Sequence, residues 1–238
     1  MRGSYGQFCP VAMAAEIVCT RWTVLLLREL MVGSTHFGEL RRGVPRMSPA
    51  LLSKRLRELE ASGIVLHTGE GLSSRYGLTQ SGRDLAPVVE ALGVWGQHWI
   101  ETEPSLDNAD PRLLMWDMHR TVVPDPLSAA RRVIAFEYPE LSLHDRYWWL
   151  VIEPDGTIDL CSDEPGFGVD LYVSTDLRTM TAIWLGQDRF SRAVDCGSVT
   201  VDGSRAMAGH LGVWLRGSHF APHAKRRPDT MHEPTGRL

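Results

Sequence analysis

Between Arg41 and Arg57 the chain carries six cations (Arg41, Arg42, Arg46, Lys54, Arg55 and Arg57) and no carboxylate. A run of that kind does no covalent chemistry; it attracts a polyanion over about a Debye length. Within and just before it, Ser48, Pro49 and Ala50 are small or compact, and Ala50, Ser53, Lys54 and Arg57 recur at i, i+3, i+4 and i+7 on one side of a helix. That side suits a major groove: small residues near the helix start let the backbone approach base edges, and cations flank the phosphates. Arg75 is the further cation placed for a phosphate, and the thiol of Cys9, directly before Pro10 at an expected helix start, is favoured as thiolate by the helix dipole. No nucleophile with a base, metal-ligand cluster or phosphate loop occurs at useful spacing. His210, His219, His223 and His232 fall near or in a polar tail, and no G-x-G-x-x-G follows a strand. The expectation is no enzyme, no cofactor and no metal.

The elements that must position these residues are legible around them. Ser48 is a good N-cap, Pro49 suits the first helical position and Gly63 the left-handed position past the end, so residues 49–62 form a helix whose Leu52, Leu56 and Leu59 make an apolar stripe. Before it, residues 35–42 make a short helix with Phe37 and Leu40 inward, and Gly43-Val44-Pro45 makes the turn, giving a helix-turn-helix. Residues 10–32 are helical with a bend near Thr20. Residues 64–67 and 74–78 read as a hairpin, or wing, carrying Arg75. Thr79-Gln80-Ser81-Gly82 caps a helix to about Glu101, and its Leu85, Val88, Val89, Leu92, Trp95 and Trp99 present more apolar surface than one winged domain covers. A second subunit is expected there.

At 238 residues the length favours two domains, and the 43% apolar content is enough for a packed core. The net charge of −4 is uneven: residues 1–100 hold 11 Lys and Arg against 8 Asp and Glu, leaving 14 against 21 beyond. Four scattered cysteines, no secretory signal and no long apolar run suit a reducing cytoplasm and exclude a membrane span. The division expected is a DNA-binding and dimerisation domain over 1–101, a linker over 102–111, a second domain over 112–221 and a disordered tail over 222–238. The second domain reads as a helix to about residue 122, strands over 131–138, 147–153, 158–162 and 169–174, helices to 185 and over 188–194, a strand over 198–201 and a closing helix over 204–215. This is an α+β arrangement with helices on one face of a mainly antiparallel sheet.

The first hundred residues resemble the HxlR-type family of bacterial winged helix-turn-helix regulators, relatives of the MarR group. The resemblance is carried by Cys9-Pro10-Val11, Arg21-Trp22-Thr23, Phe37-Gly38-Glu39-Leu40-Arg41-Arg42, Met47-Ser48-Pro49, Leu52-Ser53-Lys54-Arg55-Leu56, Gly63-Ile64-Val65, Tyr76-Gly77-Leu78-Thr79 and Gly93-Val94-Trp95. The departures are His36, where the family usually has Arg, and Leu72-Ser73-Ser74, where it usually has Pro. The resemblance implies a homodimeric repressor on a pseudo-palindromic operator in double-stranded DNA, its recognition helices about 34 Å apart. Ser48, Pro49 and Ala50 would lie near base edges, Ser53, Lys54 and Arg57 on bases or phosphates, and Arg41, Arg42, Arg46 and Arg75 on phosphates. Cys9 would stand where such proteins carry a redox or electrophile sensor. More weakly, Trp148-Trp149-Leu150-Val151-Ile152, Val169 to Val173 with the following Asp176-capped helix, and Gly197 to Val201 resemble the sterol carrier protein type 2 fold. That resemblance implies a tunnel for an apolar effector, with Trp148, Trp149, Phe167, Trp184 and Trp214 as candidate linings or plain core. The alternative class is a lipid or small-molecule binding protein whose winged domain serves mainly for dimerisation.

Overall fold

A computed structural model describes residues 4–101, 106–123 and 130–226. Helices α1 (Pro10–Val18) and α2 (Thr23–Met31) meet at 81°, the bend being made at Trp22, whose φ of +77° is unique among the described non-glycine residues. Leu26 and Leu27 of α2 then face Leu40 of α3 (Phe37–Gly43) and Leu52, Leu56 and Leu59 of α4 (Pro49–Ala61), all buried in one apolar cluster. The 3.6-residue periodicity of α4 dictates this: leucines spaced four and three apart can only share one side.

Strand β1 (Val65–Thr68) pairs antiparallel with β2 (Arg75–Leu78), Val65 opposite Leu78, and the wing leads into α5 (Gln80–Arg83) and α6 (Ala86–Trp99). The single helix expected from residue 82 is therefore two. Pro87 has no N–H to continue the hydrogen-bond ladder from α5, and the helix restarts just before it.

In the second unit Asp110 caps α7 (Pro111–Thr121), accepting the Arg112 N–H at 3.0 Å. The sheet comprises β3 (Arg132–Glu137), β4 (Tyr147–Ile152), β5 (Ile158–Cys161), β6 (Leu171–Thr175) and β7 (Val199–Gly203), in the order β5-β4-β3-β6-β7. A one-turn helix α8 (Leu143–Arg146) lies between β3 and β4, while α9 (Leu177–Trp184) and α10 (Phe190–Asp195) connect β6 to β7 and α11 (Arg205–Trp214) follows. Three of the pairings are antiparallel; the central β3–β6 pair is parallel, with Phe136 opposite Val173, so the sheet is mixed. The α+β class and the element order match the expectation from sequence.

Alternation along the strands puts Ile134, Phe136, Leu150, Leu171 and Val173 on the face covered by Met115 and Met118 of α7, Met180 of α9 and Leu211 and Trp214 of α11. These side chains fill the layer between sheet and helices. Residues 217–226 then return to the winged unit. The Phe220 ring lies where a Cβ on Gly93 would sit, His219 Nε2 is 2.9 Å from a Glu90 carboxylate oxygen, and Lys225 Nζ donates to the Ile100 carbonyl at 2.6 Å. Residues 222–226 of the expected disordered tail are thus seated on the end of α6, because backbone and side-chain polar groups there find partners; the remainder of that tail, and residues 102–105 of the expected linker, lie outside the described residues. No single described helix is long and apolar enough to cross a membrane.

Candidate nucleic-acid interface

The start of α3 is set by Glu39, whose carboxylate accepts the N–H of Thr35 at 2.7 Å and of His36 at 3.0 Å. Partial burial works against its charge, yet those bonds hold the Glu39 carboxyl below the usual carboxylate range. The end of α3 is set by close approach. Gly43 packs on the Glu29 side chain so tightly that a Cβ would come within 1.9 Å of it, and the Gly43 carbonyl accepts from Arg28 at 3.0 Å. In the following turn Val44 and Met47 are buried, and the Ser48 hydroxyl accepts the Leu51 N–H at 3.3 Å to cap α4.

With the leucine stripe of α4 inward, Ser48, Pro49, Ala50, Lys54 and Arg57 are exposed, with Ser53 half-buried among them. Arg57 Nε donates to the Ser53 carbonyl at 3.3 Å, which lays its guanidinium along the helix. Arg55 is different: it is 8% exposed and paired with Glu58, so one member of the basic run belongs to the fold and not to the surface. Arg41 is exposed at the end of α3.

The two other cations of the run turn toward the second unit. The Arg42 guanidinium lies 5.2 Å from the centre of the Trp116 ring, and Arg46 Nε is 3.8 Å from Asp110. On the wing, the Tyr76 N–H donates to Thr35 at 2.7 Å and His67 stacks on Tyr76 at 4.6 Å, which fixes the hairpin against the start of α3. Arg75 is exposed opposite Thr68, but the wing tip beyond it, where Gly69 and Gly71 take positive φ, carries the carboxylate of Glu70.

Sequence reasoning missed the junction behind this face. Glu29, fully buried, accepts from Arg28 at 2.7 Å, from Arg120 at 2.9 Å, from Ser34 at 3.2 Å and from Trp116 Nε1 at 3.4 Å. Burial alone would raise its carboxyl, but the charges of Arg28 and Arg120 and their hydrogen bonds hold it below the usual carboxylate range. Asp117, paired with the same Arg120, is pushed up by burial. The available signal was a lone carboxylate in the apolar helix around Leu26, Leu27 and Leu30.

Of the residues expected at a subunit interface, Val88, Leu92, Trp95 and Trp99 are exposed, Val89 is buried in the winged unit's own core and Leu85 is half-buried against it. Cys9 is half-buried at the start of α1, and the backbone N–H groups of Ala12 and Val11 lower its thiol pKa. The five aromatics considered as a common ligand lining are dispersed. Trp148 and Trp214 lie in the second unit's core, Trp149 in a shallow pocket on the opposite sheet face, Phe167 at the surface under Arg131, and Trp184 on a cavity between the two units. They fail to share a cavity because the layer between sheet and helices is occupied by core side chains.

Residues 17–104 match the HxlR-like helix-turn-helix family. The HTH-type transcriptional regulator YvaP of Bacillus subtilis is 33% identical over 99 residues, covering 40% of this chain and 92% of that protein. The HTH-type transcriptional regulator Rv3095 of Mycobacterium tuberculosis is 35% identical over 136 residues, covering 49% of this chain and 84% of the relative. Among solved structures, the redox regulator HypR in its reduced form is 33% identical, covers 37% of this chain and 91% of its own, and superposes with a TM-score of 0.35. A basic helix-turn-helix face, a wing and relatives matched over most of their length agree: this chain belongs to the HxlR-like helix-turn-helix family of DNA-binding transcriptional regulators.

Proposed function

We propose that the protein is a homodimeric repressor that binds a pseudo-palindromic operator through α4, with the second unit acting as its regulatory module. The observation that carries the reading is the exposed side of α4 from Ser48 to Arg57: compact at its N-terminal end, cationic further on and free of carboxylates. Ser48, Pro49 and Ala50 approach base edges, Ser53, Lys54 and Arg57 reach bases or the flanking phosphates, and Arg41 and Arg75 hold the backbone. Arg42 and Arg46 join them on phosphates only by leaving Trp116 and Asp110, which makes the second unit a competitor for part of the DNA contact.

Pairing of two chains through Val88, Leu92, Trp95 and Trp99 of α6 would cover an apolar face that monomeric proteins rarely leave open. Exposed Phe8, Val11 and Met13 at the start of the chain add to the apolar surface available for it. Cys9 is the thiol placed to sense oxidants or electrophiles, because its thiolate is stabilised at a helix start on that same arm.

The test is a gel shift with DNA from upstream of the protein's own reading frame. Wild type should give a saturable complex whose affinity falls steeply with salt, and Arg57→Ala should weaken it and flatten the salt dependence. No complex at any low-salt condition would overturn the reading. Diamide should weaken the complex for wild type and not for Cys9→Ser; equal responses would remove Cys9 from the mechanism.

A further inference from the structure

Helices cover one face of the second unit's sheet, and the opposite face carries an aromatic slot. Across the neighbouring strands β4, β3 and β6 the register sets Trp149, Ala135 and Tyr172 side by side. Two residues further along it sets Tyr147, Glu137 and Ser174 in a second row. Alternation along each strand puts both rows on one face.

Neighbouring strands lie about 4.8 Å apart, so the backbones carrying Trp149 and Tyr172 stand about 10 Å from one another, with the small Ala135 between them. A flat ring touching a wall on each side needs about 7 Å. Ala135 is buried and forms the floor, while Tyr172 is 54% exposed and Trp149 half-buried. The Tyr147 ring lies 6.2 Å from that of Trp149 and extends its wall. Residues 162–170, which carry the chain from β5 across to β6, add Glu164 and Val169 to the lining. The pocket so formed measures 330 Å³, the size of a ligand of one or two rings.

Its charge has one sign. The lining holds Glu137 and Glu164 and no Lys, Arg or His. The Glu137 carboxylate accepts the Tyr147 hydroxyl at 3.1 Å, and neither glutamate is ion-paired among the described residues. The nearest arginines along the chain are engaged elsewhere: Arg131 pairs with Glu153 at 2.7 Å and lies over the Phe167 ring, and Arg132 is 3.5 Å from Asp170.

This lining selects by charge. The faces of aromatic rings attract cations, and the two carboxylates act in the same direction. An anion would be repelled by both, and a neutral guest would strip water from the half-buried Glu137 without answering its charge. A hard metal ion needs several oxygen donors, and among the described residues no three His, Cys, Asp or Glu side chains are grouped to hold one.

We infer that this slot binds a small organic cation, seated between Trp149 and Tyr172 with its charge held by Glu137. The site lies wholly within the second unit and goes beyond the DNA-binding function proposed above.

Calorimetric titration of the full chain tests it with phenyltrimethylammonium, and with N,N-dimethylaniline at mildly alkaline pH as the same ring carrying an uncharged amine. The cation should saturate at one site per chain and bind at least about tenfold tighter than the amine. Glu137→Gln should weaken the cation by about tenfold and leave the amine within about twofold. Tyr172→Leu, at an exposed position outside the core, removes one wall and should weaken the cation by about tenfold with little change in melting. Binding that does not saturate, or a cation affinity that neither variant changes, overturns the site. Equal affinity for the two probes, or equal loss of both in Glu137→Gln, overturns the recognition of charge. No DNA enters the titration, so a chain that binds the cation but no operator refutes the DNA-binding function and leaves this site standing.

Discussion

Glu29 and Arg120, 91 residues apart in the chain, form an ion pair of 2.9 Å in which the carboxylate is wholly buried. The pair ties α2 of the winged unit to α7 of the second, while the Trp116 ring lies close to the guanidinium groups of Arg42 and Arg120. The carboxylate is surrounded by Arg28, Ser34, Trp116 and Arg120, so its removal takes away the one carboxylate the two arginines share, leaving Arg120 with Asp117 and Arg28 with the Gly43 carbonyl. Glu29→Ala should destabilise the chain by about 3–5 kcal/mol, the cost of breaking a buried pair from one side. Glu29→Gln, which keeps the shape and some hydrogen bonds, should cost less. Denaturant unfolding of the two variants checks both the size and the order.

The same junction makes stability depend on pH in two opposed ways. Glu29 has a folded-state pKa held below its ordinary value, so its contribution is present at neutral pH and is lost as pH falls below about 4.5 through the lowered value. Asp117 is raised by burial, so the native state binds its proton more readily than the unfolded chain, and stability gains as pH falls from neutral through the raised value. Melting curves between pH 7 and pH 3 should show a shallow rise before the acid decline. Asp117→Asn should remove the rise and leave the decline; a profile unchanged by Asp117→Asn would show that this carboxyl does not titrate differently on folding.

On the DNA face the cations should separate into three groups. Lys54→Ala and Arg57→Ala should each weaken operator binding by about 1–3 kcal/mol if they reach bases, while Arg41→Ala and Arg75→Ala should mainly reduce the salt slope by about one. Arg55→Ala should lower stability and change DNA affinity only through folding, since Arg55 is buried on Glu58. Trp116→Leu should leave the winged core intact and free Arg42, raising affinity at low salt. Anisotropy titrations at several salt concentrations distinguish these outcomes.

The winged unit was legible because its signals are local. Ser48 before Pro49, leucines at helical spacing and Gly63 past the end each act within one helix, and the structure repeats them. The strands and helices of the second unit were legible for the same reason, through alternation and the Asp176 cap, whose carboxylate accepts the Thr179 N–H at 2.8 Å. What pattern could not carry is pairing across distance. Nothing near β6 in sequence says that it lies parallel beside β3, since both neighbours read alike as apolar strands. Periodicity does set Arg55, three residues after Leu52 and four before Leu59, on the leucine side away from Lys54 and Arg57; what it does not give is how deeply that cation is buried or that Glu58 pairs with it. The cavity was missed because it belongs to neither unit alone.

Helix α6 has one side closed in cis and one side open, which yields a test of pairing. Gly93 meets the Phe220 ring, whereas Trp95 is 57% exposed and Val88 and Leu92 are each 47% exposed on the open side. Trp95→Glu would place a charge in the middle of the open side and should convert a dimer to a monomer in sedimentation, with little change in melting at low concentration. Gly93→Leu should instead displace the 217–226 segment and lower stability while leaving the open side able to pair. If Trp95→Glu sediments as wild type does, the subunit contact lies elsewhere.

The four cysteines are free and differ in environment, so they should react in a definite order. Backbone N–H groups at the start of α1 lower Cys9, and the Ser198 side chain, 3.2 Å from the Cys196 sulfur, together with its N–H lowers Cys196. Burial and the carboxylates of Asp159 and Asp163 raise Cys161, which also sits in β5. Since the thiolate is the reacting species, limiting N-ethylmaleimide at neutral pH should label Cys9 and exposed Cys196 ahead of Cys161, as peptide mapping would read. Cys196 labelling should leave operator binding unchanged, because that thiol caps the end of α10 in the second unit and belongs to neither α4 nor α6. Labelling confined to Cys9, obtained in a chain carrying both Cys19→Ser and Cys196→Ser because Cys19 is also exposed, should reduce it. A Cys161 that reacts first would mean that the strand carrying it opens more readily than its hydrogen-bonded register with β4 allows.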